Sequence, residues 1–277
     1  MGGQSGGMYV YKNLADVGFE ELTAVWNLAF SDNIVDMEMT AERLEAYFKI
    51  SGVVYSLSFG AFYNEKLVGM LMNSVDIYKG KIVAYDAMTG VVPEHRGKGL
   101  FSELFEYTRS ALKDSGVTFY YLEVIQTNEK AYNIYSGKGG KIEREYSFLK
   151  GRTDGVFSGS GNVKALPLSE FPDEEICLYE PSFSNRVTAM RRNEDDYKVA
   201  LLDKTSVVFN TQGRITQILY RGAEDKEALG SILSYLSQKF KGLEISNIPS
   251  TETDLIKELL GLGFNTIVEQ YEMSFEL

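Results

Sequence analysis

The sequence predicts an α/β protein whose mixed sheet is mostly antiparallel, contains one splayed parallel pair, and is followed by a second domain of the same order. Three observations predict it. Residues 55–92 hold three stretches rich in aromatic and branched side chains, separated by Asn64-Glu65 and Lys79-Gly80, which read as antiparallel strands joined by hairpin turns. The apolar stretch ending at Val91-Val92 then runs through a glycine turn into an amphipathic segment and on to another strand-like run. Strand, crossover helix, strand is the route to a parallel pair, where a sheet can open. Beyond residue 164 the same succession returns.

The elements follow in order. Met1 to Gly7, rich in glycine, reads as a flexible leader or tag remnant ahead of a native start at Met8. Tyr9-Val10-Tyr11 makes a first strand. Leu22, Val25, Trp26 and Ala29 fall at helical spacing within Phe19 to Phe30, with Trp26 in the core. Thr40 caps a second helix whose apolar face holds Leu44, Tyr47 and Phe48. Strands are expected over Tyr55 to Tyr63, Lys66 to Tyr78 and Lys81 to Val92. Leu100, Leu104, Phe105, Thr108, Ala111 and Leu112 then repeat at three and four residues, giving a helix that faces a sheet and stops at Gly116. A strand over Val117 to Ile125, a short helix over Asn128 to Lys138 and a strand over Lys141 to Lys150 complete residues 8–152.

Residues 153–163, polar and rich in glycine and serine, read as a linker. Residues 164–277 then repeat the order: strands over Tyr197 to Asp203, Ser206 to Asn210 and Ile215 to Arg221, a helix over Glu224 to Phe240, a strand over Leu243 to Ile248, a helix over Thr251 to Leu262 capped by Thr251, and a strand over Phe264 to Phe275. The run from Gly139 to Tyr146 resembles that from Gly263 to Tyr271.

Composition narrows the partners. Acidic residues number 39 against 28 basic ones, a net charge of −11, which disfavours nucleic acid and anionic membrane while admitting a local basic pocket. A cationic acceptor is favoured. Cys177 is the only cysteine, so an internal disulfide and a cysteine-rich metal site are excluded and a reducing cytoplasm fits. No run of about 18 apolar residues is present to cross a bilayer. His95 is the only histidine; it is expected to be solvated, and no metal site assembles around it.

Chemistry is concentrated in two segments. Val91-Val92-Pro93-Glu94-His95-Arg96-Gly97-Lys98-Gly99-Leu100 joins a strand to a glycine turn and a helix start, the arrangement that offers unpaired N–H groups and a positive dipole end to a phosphate. The second segment runs from Leu122 to Gly140. Arg96 and Gly99 fit Arg/Gln-x-x-Gly-x-Gly/Ala, with Phe101 in the last place, and Asn128, Ala131, Tyr135 and Gly139 fit Asn-x-x-Ala-x-x-x-Tyr-x-x-x-Gly. Together they resemble the GCN5-related N-acetyltransferase (GNAT) family over most of residues 8–152. The resemblance implies the GNAT acyl-CoA N-acyltransferase fold, acetyl-CoA as co-substrate and direct transfer to an amine in a ternary complex.

It also implies roles. Backbone amides around Arg96, Gly97, Lys98, Gly99 and Leu100 hold the pyrophosphate, with Arg96 and Lys98 adding charge. The strand backbone through Val91 and Val92 pairs with pantetheine. Tyr135, whose reference pKa near 10 exceeds the roughly 8.5 of a thiol, protonates the leaving thiolate, and Asn128 caps its helix or bonds the pantetheine arm. Asp86 and Glu123 are the two candidates for the base that deprotonates the amine, each with a structural alternative. Phe101, where the family has a small residue, packs beneath the turn. The acidic connection Ser31 to Glu38 suits a cationic amine, small molecule or peptide. Tyr47, Phe48, Tyr55 and Phe59 line an acceptor pocket or belong to the core.

The second half has Arg221-Gly222-Ala223-Glu224-Asp225 in place of the signature, acid where phosphate would sit, and reads as a degenerate GNAT-like domain that shapes the acceptor pocket or an interface, including that of a homodimer. The alternative function is a non-catalytic acyl-CoA-binding or sensor protein.

Overall fold

The computed structural model describes residues 8–32, 37–78, 80–151, 157, 159 and 161–277. The leader, the middle of the acidic connection after Asp32, Lys79 and most of the linker lie outside the described residues. Two compact units form: one takes the chain up to Leu122 with Gly137–Gly140 and Ser274–Leu277, the other Glu123–Ser136 and Lys141–Met273. These cuts differ from the linker at 153–163 because each unit borrows strand residues from the other half of the sequence.

The first unit opens with β1 (Tyr9–Asn13), α1 (Phe19–Ala29) and α2 (Ala41–Ser51). Leu22, Val25, Trp26 and Ala29 form the buried stripe of α1, and the Thr40 hydroxyl accepts the Arg43 N–H as the cap of α2. The strand expected from Tyr55 begins only at Phe59: Tyr55–Leu57 is a 3₁₀ turn, because the Leu14 N–H draws in the carbonyls of both Tyr55 and Ser58, at 3.3 and 2.9 Å. Then come β2 (Phe59–Tyr63), β3 (Lys66–Tyr78) and β4 (Lys81–Val91). Asn64 and Glu65 both adopt positive φ, 50° and 67°, the conformation of a two-residue hairpin loop.

Helix α3 (Leu100–Asp114) crosses to β5 (Phe119–Ile125), which is followed by α4 (Glu129–Gly137) and β6 (Lys141–Gly151). The sheet runs β1-β2-β3-β4-β5, antiparallel except for the parallel pair β4 and β5. Against it lies the predicted stripe of α3, Leu100, Leu104, Phe105, Thr108 and Leu112, all buried.

The second unit contains β7 (Lys164–Pro167), the one-turn helix α5 (Val187–Met190), β8 (Tyr197–Leu202), β9 (Thr205–Asn210), β10 (Arg214–Leu219), α6 (Lys226–Ser237), β11 (Leu243–Pro249), α7 (Thr253–Gly261) and β12 (Phe264–Glu276). From β8 on, this is the order of β2 to β6, again with one parallel pair, β10 and β11. Thr251 does not cap α7. The turn closed by the Glu252 N–H on the Pro249 carbonyl at 2.9 Å puts Glu252 at the capping position and leaves Thr251 one residue ahead of it.

Strand β6 follows β5 in sequence, yet β12 is the neighbour of β5, and β6 lies between β12 and β11. The end of β12 completes the first unit: the Leu277 N–H reaches the Thr118 carbonyl at 3.1 Å, and the Phe275 ring lies 5.1 Å from that of Phe105. Within the second unit, Arg144 of β6 grips Glu272 of β12 with Nε and Nη2, both at 2.8 Å, and the Tyr146 hydroxyl donates to the same carboxylate at 3.0 Å. Glu272 is 3% exposed, so this charge depends on its partners. We predict that Glu272→Ala lowers stability by about 3–5 kcal/mol in urea unfolding, whereas replacing both Arg144 and Glu272 by apolar residues of like volume recovers most of the loss.

Candidate active site

The parallel pairing of β4 with β5 covers only Val83 to Tyr85 against Phe119 to Tyr121. Beyond Tyr85, β4 continues on β3 as far as Val91, with a bulge at Ala87 where Met72 and Asn73 face Met88 and Asp86. Side chains occupy two carbonyls of this stretch: the Tyr47 hydroxyl donates to Ala87 O at 3.1 Å, and Arg96 Nε to Val91 O at 2.9 Å. A strand that leaves its parallel neighbour makes a slot lined by backbone polar groups, suited to an extended amide-bearing ligand.

The chain turns at the end of β4. Gly97 and Gly99 have φ of 73° and 80°, a conformation that side-chain-bearing residues rarely adopt. Gly99 is the N-cap of α3, and no side chain caps that end, so the first amides of the helix face outward with the positive end of the dipole behind them. Lys98 is exposed beside them, and Leu100 and Val92 are buried under the turn. Phe101, expected beneath the turn, is half-buried, its ring tilted 5.7 Å from that of Phe105 on the same helix. His95, expected to be solvated, is partly exposed and partly held by tyrosines. Tyr9 Oη lies 2.8 Å from its Nδ1 and the Tyr63 ring 5.1 Å away, and burial pulls its pKa down.

Arg96 is already engaged by the protein. Its guanidinium bonds Asp32, the Ala29 carbonyl and the Val91 carbonyl. Phe48 and Phe59 are core residues, 0% and 5% exposed, with Phe48 ringed by Trp26, Tyr47 and Tyr55.

Asp86 sits where β4 leaves β5. Burial pushes its carboxyl up to about 6, against the opposing pull of the Thr89 hydroxyl at 2.6 Å, the Met88 N–H and the Tyr120 hydroxyl. Such a group is roughly nine-tenths ionised at pH 7 and still basic enough to take a proton.

Glu123, Asn128 and Tyr135 belong to the second unit. Asn128 caps α4, its Oδ1 accepting the Ala131 N–H at 3.1 Å. Tyr135 is 8% exposed on that helix. Glu123 Oε2 accepts from Asn247 Nδ2 at 2.8 Å, and Asn247 holds a left-handed φ of 53° in β11. Asn247 is marked in the sequence only as an asparagine between Ser246 and Ile248 inside a strand-like run.

The turn after β10 holds its own anion. Asp225, 5% exposed, accepts from the Arg221 backbone N–H at 2.8 Å and from its guanidinium at 2.9 and 2.8 Å. A cavity of about 570 Å³ beside it is lined by Asp203, Glu224, Asp225 and Glu227 against Lys204 alone. A carboxylate thus stands where the first unit exposes amides, and further acid surrounds it. For the first unit, we predict that Thr89→Val raises the Asp86 pKa further, read by carbon NMR of the carboxyl, because the lost donor favoured the charged form.

The comparisons agree with this geometry. The model of the acetyltransferase (GNAT) family matches residues 20–139. N-alpha-acetyltransferase 30 of Schizosaccharomyces pombe is 29% identical over 99 residues, 35% of this chain and 66% of that protein, so the match spans just under two thirds of the relative. A putative acetyltransferase from Pyrococcus horikoshii shares the fold at TM-score 0.66 and 16% identity, over 100% of this chain and 92% of that one. A tandem GNAT protein from the clavulanic acid biosynthesis pathway does so at TM-score 0.66 and 14% identity, over 97% and 98%. Residues 20–139, which carry both signatures, therefore form a GNAT-family acetyltransferase domain, and the chain as a whole has the fold of a tandem GNAT protein.

Proposed function

We propose that this chain transfers an acetyl group from acetyl-CoA to an amine acceptor by direct attack within a ternary complex. The observation that carries the reading is the uncapped start of α3 behind two left-handed glycines, next to a strand that has left its parallel partner. The backbone amides of Gly97 to Leu100 and the charge of Lys98 would hold the pyrophosphate, and the strand backbone through Val91 and Val92, by the family resemblance, the pantetheine arm. Acetyl-CoA supplies an activated acetyl thioester.

The remaining steps fall to side chains. Asp86 takes the proton of the ammonium, since its raised pKa matches neutral working conditions. Glu123 remains the second candidate for that step. Tyr135 donates its hydroxyl proton to the departing thiolate, a role that rests on its place in the second signature. Cys177 does not serve as an acyl carrier: its thiol is buried and pushed up to about 12, leaving almost no thiolate. The acidic surface favours a cationic amine, and the name of the Schizosaccharomyces pombe relative makes peptide α-amines the first acceptors to screen, with small amines beside them. In this reading residues 8–152 are catalytic and the C-terminal repeat is a non-catalytic partner of the same chain, working in the cytoplasm.

Calorimetry of acetyl-CoA tests the cradle. Wild type is expected to bind at one site per chain, and Gly99→Val, strained at a left-handed φ, to lose at least tenfold in affinity. Absence of wild-type binding would sink the proposal. Against an accepted amine, Asp86→Asn and Tyr135→Phe are each expected to lower kcat about 10²-fold with acetyl-CoA binding retained. In wild type, kcat/KM should fall as pH drops through about 6, because protonated Asp86 cannot accept. Unchanged turnover in Asp86→Asn would move the base role to Glu123.

A further inference from the structure

Arg96 opens the first signature, where a cation beside a glycine turn reads as a phosphate ligand. Its geometry points elsewhere. Nη1 donates to Asp32 Oδ2 at 2.6 Å, Nη2 to Asp32 Oδ1 at 3.1 Å and to the Ala29 carbonyl at 2.6 Å, and Nε to the Val91 carbonyl at 2.9 Å. Four of the five guanidinium N–H groups are thereby engaged. Ala29 is the last residue of α1 and Val91 the last of β4. A cation at a helix C-terminus satisfies an orphan carbonyl and complements the dipole.

The two ends also touch. A Cβ at Gly90 would lie 3.0 Å from the Cβ of Ala29, with the Phe30 ring 3.6 Å away, so glycine lets the end of α1 rest directly on β4. Arg96 spans that contact, and Gly97, with its positive φ, follows at once. An exposed ion pair alone contributes little, but a bidentate fork that also ties a helix end to a strand end fixes the Cα from which the turn departs.

We propose that Arg96 is a positioning residue: with Asp32 it latches α1 to the end of β4 and so sets the direction of the Gly97 to Leu100 amides, without itself contacting the cofactor. This inference rests on the acetyl-CoA reading above. It separates the two carboxylate outcomes by sign. Asp32 supports a latch, so its loss should weaken cofactor binding. For a phosphate-binding arginine Asp32 is a competitor, so its loss should leave binding unchanged or tighten it.

The experiment is acetyl-CoA calorimetry on the full chain at low and high salt for wild type, Arg96→Gln, Asp32→Asn, the double variant and Arg96→Lys. The expected result is a loss of roughly five- to tenfold in each single variant, no further loss in the double, an unchanged salt slope, and no rescue by lysine, which keeps the charge without the fork. A salt slope lowered by about one charge in Arg96→Gln, tighter or unaltered binding in Asp32→Asn, or full affinity in Arg96→Lys would overturn it. The Asp32 side chain faces solvent, 57% exposed, so Asp32→Asn keeps the test open where an Arg96 variant misfolds. A wild type that binds no acetyl-CoA would overturn the functional reading and this inference with it.

Discussion

Hydrogen bonding between β4 and β5 ends at Tyr85 and Tyr121, while β4 stays paired with β3 through Val91. A strand bonded on one side only carries backbone groups that must find other partners or lose free energy. Tyr47 and Arg96 take two of those carbonyls. The bulge at Ala87 turns the strand just as it departs, a common use of bulges beside functional sites. The raised pKa of Asp86 follows from the same event, because a carboxyl at the point of divergence lies partly buried among strand residues. One failure of pairing thus places an extended slot, a titrating carboxyl and the glycine turn within a few residues of sequence.

The two repeats show how much of this depends on one turn. Both have a parallel pair joined through a helix, and both pairs are short. In the first the helix begins with open amides; in the second, Arg221 and the amide before its helix are filled by Asp225 from the next turn. An internal carboxylate meets the hydrogen-bonding needs of that turn. The architecture tolerates either turn because packing, carried in the second repeat by Leu229, Ile232, Leu233 and Leu236 on α6, does not depend on how the turn is filled.

Strands and helices with a clear period were legible: α1, α3, the β2 to β4 hairpins and the β8 to β12 order can be read from side-chain spacing. Both glycines of the turn were legible from their place between strand and helix. Four features were not. The segment 168–196 folds into short 3₁₀ turns around buried Ser182, Asn185 and Arg186, where local pattern is absent because long-range polar contacts decide. The Arg96 latch depends on Asp32, sixty-four positions away. His95 is held by Tyr9, again a partner that spacing alone does not disclose.

The exchange of final strands was likewise hidden, since β6 and β12 read alike and either could complete either sheet. Its consequence concerns the order in which the protein is made. The first unit draws its last residues, Ser274–Leu277, from the far end of the chain, so a nascent chain cannot close that sheet when residue 122 or even 152 has emerged. Until residue 277 is synthesised the edge of β5 is open, and β6, already present, is the wrong strand to cover it. Folding is therefore not sequential by domain. The unit that carries the glycine turn is translated ahead of the second unit, yet it is finished only when the end of β12 has been made.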